Sequence, residues 1–397
     1  MAATLAVWAN CHASFVLGVA MGLLAAGEWY AATRRPVALA TAAGFLAAPL
    51  LNPYGPSIYG FGSLIADDVW FVSEWQRYDA SSPFLWAFLA MALFVATDAV
   101  RRRDRRWFDL ARVALLGALS LTAMRHTAEA ALFLCPIVAA RIEQAITPGP
   151  RWIGPALCGV AALLGAVMTG YLVRARRSFR FEIDHLALPV AATSFVLRHD
   201  LRGRMFNDYD FGGYLLWKAW PRHRVFIDGR LEVYGPRGVL DDYLLASSGA
   251  PEAGLVLDKY QVDFVVLRPD RALARLLAER PEWELVYFDY NSTVFVRRGT
   301  NPGLRRLRLL TPWGNRNRAM VDASIDEARY LLRENRRFFG AHKILSFLLY
   351  RTGDFRGAAE ELANYLRLRP QGRDNPETIE MMRALARRGF DRWPGAP

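Results

Sequence analysis

Hydrophobic positions fill the first 173 residues in long unbroken blocks and then give way to short alternations, so the chain changes character once along its length. Six blocks reach or approach the roughly 17–25 residues with which a helix crosses a bilayer: 13–30, 36–51, 83–100, 107–124, 128–146 and 152–173. The second is short, and Pro136 interrupts the fifth. The apolar run 2–9 is too short to span. It has no basic flank and no small-residue cleavage site, so it does not read as a signal peptide. It reads as the last turns of a helix that begins upstream, and the chain is expected to be the C-terminal part of a larger multi-pass protein.

Beyond 179 helix and strand patterns alternate. A helix is expected around 189–198. The stretch RMFNDYDFGGYLLWKAWPRHRVFIDGR, 204–230, predicts a short strand at Met205 and Phe206, then an acidic turn through Asp208 and Asp210. Gly212 and Gly213 open a helix that Pro221 stops, and a second strand follows at 224–227. Strand, helix and strand at this spacing favour a parallel pair, which would gather Asp208, Asp210 and Asp228 at one sheet edge. Helices at 238–246, 252–260 and 271–279 are interleaved with strands at 263–267 and 284–288. Asn291 and Ser292 turn the last strand back to 296. The expected product is an α/β sandwich, mostly parallel with an antiparallel edge. Asn291, Ser292 and Thr293 match a glycosylation triplet, although a tight turn explains them equally well.

Past Thr311, Pro312, Trp313, Gly314 and Asn315 the pattern turns helical, at 325–338, 341–351, 355–368 and 376–388. The segment AHKILSFLLYRTGDFRGAAEELANYLRLRP resembles one tetratricopeptide repeat, with Tyr365 bulkier than the small residue usual there. The expected fold is a polytopic α-helical membrane domain over 1–174 with about six helices. An extracytoplasmic α/β domain over 175–310 and a short all-α tetratricopeptide-like domain over 311–397 follow it.

Charge orients the chain. The net charge is +12, but the arginines are dispersed and many sit at the ends of apolar blocks, which argues against nucleic acid as a partner. Arg34, Arg35 and the five arginines of 101–106 mark cytoplasmic loops, whereas the acidic loop 52–82 lies outside. Everything after 173 then lies outside too, with Arg174, Arg176 and Arg177 as the contrary signal. The expected location is the bacterial inner membrane. Cys11, Cys135 and Cys158 suggest no pair and no zinc spacing.

The candidate chemistry lies at membrane ends and in the acidic turn. Glu74, beside Trp75 in the external loop, is either an anchor's incidental charge or a carboxylate for a metal or an acceptor N–H. Arg125, at the outer end of the fourth block, either snorkels or clamps a phosphate or diphosphate with its planar fork. His12 and Asn10 carry a weaker suggestion of the same kind. Two carboxylates in the Gly-rich turn would repel phosphate. Asp208 and Asp210 therefore suit a metal or a polar acceptor, or simply cap the helix.

Together these motifs resemble the second half of the membrane oligosaccharyltransferase catalytic subunits of the GT-C glycosyltransferase superfamily, over about 36–230. VSEWQRYDASSPFLWAFL is similar to the family's external-loop segment, which implies that Glu74 contacts the acceptor near a catalytic Mg or Mn ion. TAMRHTAEAALFLCPIVAAR is similar to the span whose arginine binds the diphosphate of a lipid-linked sugar, the place taken by Arg125. YDFGGYLLWKAWPRHRVFIDGR resembles the family's Trp-Trp-Asp-Tyr-Gly stretch, with Asp210, Phe211 and Gly212 matching and Asp228 following. Asp208 and Tyr209 replace the tryptophan pair, and the family's early catalytic loops have no counterpart here. The chain also resembles bacterial polytopic proteins with tetratricopeptide tails. Two function classes follow. One is a GT-C-type glycosyltransferase that binds or transfers a lipid-linked sugar at the outer membrane face. The other is a non-catalytic membrane-anchored assembly protein that uses 322–388 to bind a protein partner.

Overall fold

The computed structural model describes residues 2–64, 75–77, 79–102, 107–146, 152–174, 183–308 and 317–391. The chain divides into two compact units, Met1–Phe181 and Glu182–Pro397.

The described part of the first unit is helical: α1 (Ala2–Cys11), α2 (Phe15–Thr33), α3 (Val37–Ala47), α4 (Pro83–Arg102), α5 (Trp107–Thr122), α6 (Met124–Ile146) and α7 (Ile153–Arg174). Arg34 in the left-handed region, with its N–H on Tyr30 O, ends α2, and Pro36 precedes the next helix. Gly22 lets α2 close on α3, since a methyl group there would come within 2.7 Å of the Phe45 ring. Pro136 does not interrupt α6, which continues through it. Arg125 accordingly begins a helix rather than ending one.

Among the described residues one helix, α2 with 19 residues, is long and apolar enough to cross a membrane, where six were expected. The reason lies in the side chains. The apolar stretches of α4 and α7 are shorter, at Leu85–Asp98 and Gly154–Val167. α5 carries Asp109 and Arg112, and α6 carries Arg125, Glu129, Arg141 and Glu143. Several of these charges pair with each other. Arg112 bonds Asp109 at 2.7 Å and also Glu28 of α2. Arg141 bonds Asp109 and lies 3.6 Å from Asp98 of α4. Four helices are thus laced together at the end where α2, α4 and α6 finish and α5 starts.

The second unit holds a four-stranded sheet with helices packed around it. β1 (Arg204–Asn207), β2 (Val262–Leu267), β3 (Trp283–Phe288) and β4 (Thr293–Arg297) lie in the order β1-β2-β4-β3. Only β1 and β2 are parallel; the other two pairings are antiparallel, so the sheet is mixed rather than mostly parallel. The inversion comes from the β3–β4 hairpin, which inserts β4 beside β2. The strand expected at 224–227 does not form. In its place the buried Asn207 side chain accepts from Phe226 N–H at 2.7 Å and donates to Ile227 O at 2.9 Å. One amide group thereby substitutes for a rung of sheet.

The helices of this unit are α8 (Val190–Arg198), α9 (Gly212–Ala219), α10 (Leu231–Tyr234), α11 (Val239–Ser247), α12 (Ala253–Lys259), α13 (Ala272–Glu279), α14 (Arg318–Glu334), α15 (Phe339–Thr352), α16 (Phe355–Leu368) and α17 (Pro376–Ala386). Phe195, Phe211, Leu215, Phe264, Val266, Tyr287 and Val294 form the core under the sheet. α15 and α16 make a helical hairpin. Gly353 turns it at φ 90°, and Asp354 caps α16 by accepting from Gly357 N–H at 2.9 Å. Leu345, Leu349, Ala358 and Leu362 fill the hairpin's seam. The tail and the sheet belong to one unit because α14 is tied to both α8 and the β3–β4 turn. Glu334 accepts from Arg198 at 2.8 Å, and Asn335 donates to Asp289 at 3.0 Å.

Candidate functional site

Asp208 ends β1 with its N–H on Val266 O, so strand pairing aims its carboxylate beyond the sheet. The group is fully buried, and Arg271 closes on it with Nε at 2.6 Å and Nη2 at 3.0 Å. The same Nη2 reaches the exposed Asp210 at 3.0 Å. This pairing raises the Arg271 pKa, and Tyr243 beside it is pushed up to about 12, first by burial and then by the Asp208 charge. The cap is also not the expected one. Asp208 accepts from Asp210 N–H at 3.2 Å across a 3-10 turn, whereas α9 has no side-chain cap at its start.

Asp228 is brought beside this turn by close backbone contact. A methyl on Gly212 would lie 2.7 Å from Asp228 Cα and closer still to Ile227 O. Its charge is likewise answered: Arg230 donates Nε at 2.9 Å and Nη2 at 2.5 Å, and its backbone N–H donates at 3.0 Å. Burial works against the Asp228 charge, but the bonds from Arg230 and Tyr234 outweigh it and hold its pKa below the usual carboxylate value. The acidic edge expected for a metal or acceptor is therefore internally neutralised. Among the described residues no group of three or more His, Cys, Asp or Glu side chains could hold a metal ion. These aspartates do not fit a divalent metal, because guanidinium groups already stand where the cation would. Glu74, the other metal candidate, lies outside the described residues.

The residues at the helix ends of the first unit do converge. Arg125, half-buried at the start of α6, lies over the Trp75 ring at 4.5 Å and donates to His12 Nε2 at 3.2 Å. His126 meets the edge of the same tryptophan at 5.7 Å. Gln76 O accepts from Met124 N–H at 2.9 Å, which fixes the loop's last residues against α6. Asn10 donates to Leu51 O at 2.8 Å and ties α1 to the start of that loop. His12, Trp75, Arg125 and His126 thus form one cluster, opposite the laced end of the helices. A stacked, hydrogen-bonded guanidinium is pre-oriented, and its planar fork suits a phosphate or diphosphate.

A third feature escaped the sequence reading. Arg222, His223 and Arg224, with Arg204 and Arg237, line a cleft of about 560 Å³ beside the start of β1. Its local signal is the Arg-His-Arg run that leads into the expected strand at 224–227.

Asn291 is buried, and its Nδ2 donates to His185 O, Leu186 O and Leu188 O at 2.9–3.2 Å. Its amide is committed to the fold, so the Asn-Ser-Thr triplet serves as a turn.

Compared with known proteins, the chain matches no family model, no curated protein and no solved structure.

Proposed function

We propose that the first unit binds a lipid-linked diphosphate where His12, Trp75, Arg125 and His126 meet, in a multi-pass membrane protein of GT-C glycosyltransferase type. The observation that carries this reading is Arg125 itself, stacked on Trp75 at 4.5 Å and bonded to a histidine 113 residues away in sequence. Side chains from α1–α2, the loop before α4 and the start of α6 are spent on orienting one cation. A guanidinium that merely snorkels needs no such frame. The membrane setting draws support from large apolar side chains left exposed on α4 and α7, among them Trp86, Leu93, Leu163, Leu164 and Val167. Apolar surface of this extent suits contact with lipid. The paired charges of α2, α4, α5 and α6 fit an interior or interfacial position in such a bundle.

The transfer step itself is not assigned to the second unit. The pairing of Asp208, Asp210 and Asp228 with Arg271 and Arg230 favours a scaffold role for that unit, with the α15–α16 hairpin as its surface for a protein partner.

The test is binding of a polyprenyl diphosphate to the full chain in detergent. Arg125→Ala is expected to weaken binding by tenfold or more. Arg125→Lys, which keeps the charge and loses the fork, should fall between. Equal affinity in all three proteins would reduce Arg125 to an anchor.

A further inference from the structure

The cleft beside β1 is lined by four arginines and no carboxylate. Arg222 is engaged by Asp200. Arg204 donates from Nη1 to Tyr260 O at 3.3 Å. Arg224 and Arg237 are exposed and form no ion pair among the described residues. Between them His223 is only 4% exposed, with neither ring nitrogen hydrogen-bonded. Its ring meets the buried Phe264 edge-on with centroids 5.3 Å apart, so the imidazole packs into the core rather than opening on the cleft. Two aromatic walls are held in place from behind. Tyr260 donates its hydroxyl to Asp242 at 2.6 Å, and Tyr234 hydrogen-bonds Asp228. Asp200 pairs with Arg222 and Asp263 accepts from the Arg204 backbone N–H at 2.8 Å, so the neighbouring carboxylates are engaged, and the lining combines the arginines and tyrosines with apolar side chains such as Val225 and Val233.

We propose that this cleft binds a phosphate group carried on a small organic body. Arg204, Arg224 and Arg237 supply the charge, and Tyr234 and Tyr260 flank the attached moiety. The volume of about 560 Å³ exceeds the needs of inorganic phosphate and falls in the range of small-molecule sites. Guanidinium groups grip phosphate oxygens through paired N–H donors. Asp228 then acts as a positioning residue for the Tyr234 wall.

The experiment is calorimetric titration of the full chain in non-ionic detergent, carried out in an Arg125→Ala background so that the first unit's cluster is not counted. Two probes are used: pyrophosphate, and phosphatidylglycerol in mixed micelles with phosphatidylcholine alone as the blank. Saturable binding of pyrophosphate identifies a soluble phosphate ligand, and binding of phosphatidylglycerol alone identifies a lipid head group. In either case Arg224→Ser with Arg237→Ser, both at exposed positions, should lower affinity at least tenfold. Affinity unchanged in the double variant, or no saturable binding of either probe, overturns the proposal.

Discussion

Arg271 holds Asp208 through two nitrogens at 2.6 and 3.0 Å and reaches Asp210 with the second of them, so one guanidinium answers two carboxylates of very different burial. Asp208 is wholly inaccessible, whereas the Asp210 side chain is half-exposed. Removing the shared partner leaves a buried charge unpaired, which costs about 3 kcal/mol. Arg271→Ala is therefore expected to lower the stability of the chain by about that amount in chemical denaturation. Asp210→Asn should cost under about 1 kcal/mol, as for other exposed pairs. Equal effects of the two substitutions would contradict this hierarchy.

Adjacent glycines give a second prediction. A methyl on Gly212 meets the backbone of Asp228 at 2.7 Å, whereas one on Gly213 meets nothing within 4 Å. Backbone yields little, so Gly212→Ala should destabilise by about 1–3 kcal/mol. Gly213→Ala sits in a helix, where alanine is favoured by up to about 1 kcal/mol, and should be neutral or stabilising. Thermal unfolding of the two variants separates them.

A pH dependence follows from His223. Burial, and then the charge of Arg222, hold its imidazole below the ordinary value of 6.5. The unfolded chain therefore takes up this proton before the folded chain does. The stability that neutral His223 confers is present above pH 6.5 and is lost as pH falls through that value towards the folded pKa. Against His223→Leu, the wild type should lose stability more steeply below this point, by at most about 1.4 kcal/mol per pH unit. Parallel stability–pH curves would refute it.

Topology is open to labelling. If the proposed membrane reading holds, then with Cys11, Cys135 and Cys158 replaced by Ser, single cysteines at the exposed positions Ser81 and Ser248 should both react with an impermeant maleimide in cells whose outer membrane is permeabilised. Reaction at Ser81 with protection at Ser248 would put the second unit on the other side of the membrane.

Much of the secondary structure was legible because its signals are local. The helix limits 355–368 coincide with those of α16, since Asp354 caps one end and Pro370 follows the other. The strands around Phe264 and Leu285 announced themselves by apolar runs between turns. Sheet order was not legible. The sequence between β1 and β2 gives no sign that an asparagine side chain, rather than a ladder, receives residues 226 and 227. The site was half legible for the same reason. Arg125 and His12 each stood out as ionisable groups at apolar ends, but their meeting across 113 residues needed the fold. The partner of Asp208 could not be foreseen, because Arg271 lies 63 residues downstream among several equivalent arginines.

Asn207 has one more consequence. β1 is a terminal strand of the sheet, and an open strand edge invites pairing with other chains. Its last residue turns its own amide sideways and fastens a non-strand segment there, while Phe226 lies against Phe206 with ring centroids 4.6 Å apart. The covering piece brings no free ladder of its own to replace the one it hides. The sheet thus ends on this side in a seal rather than in a template, held by the Asn207 amide together with the packing of Phe226 on Phe206.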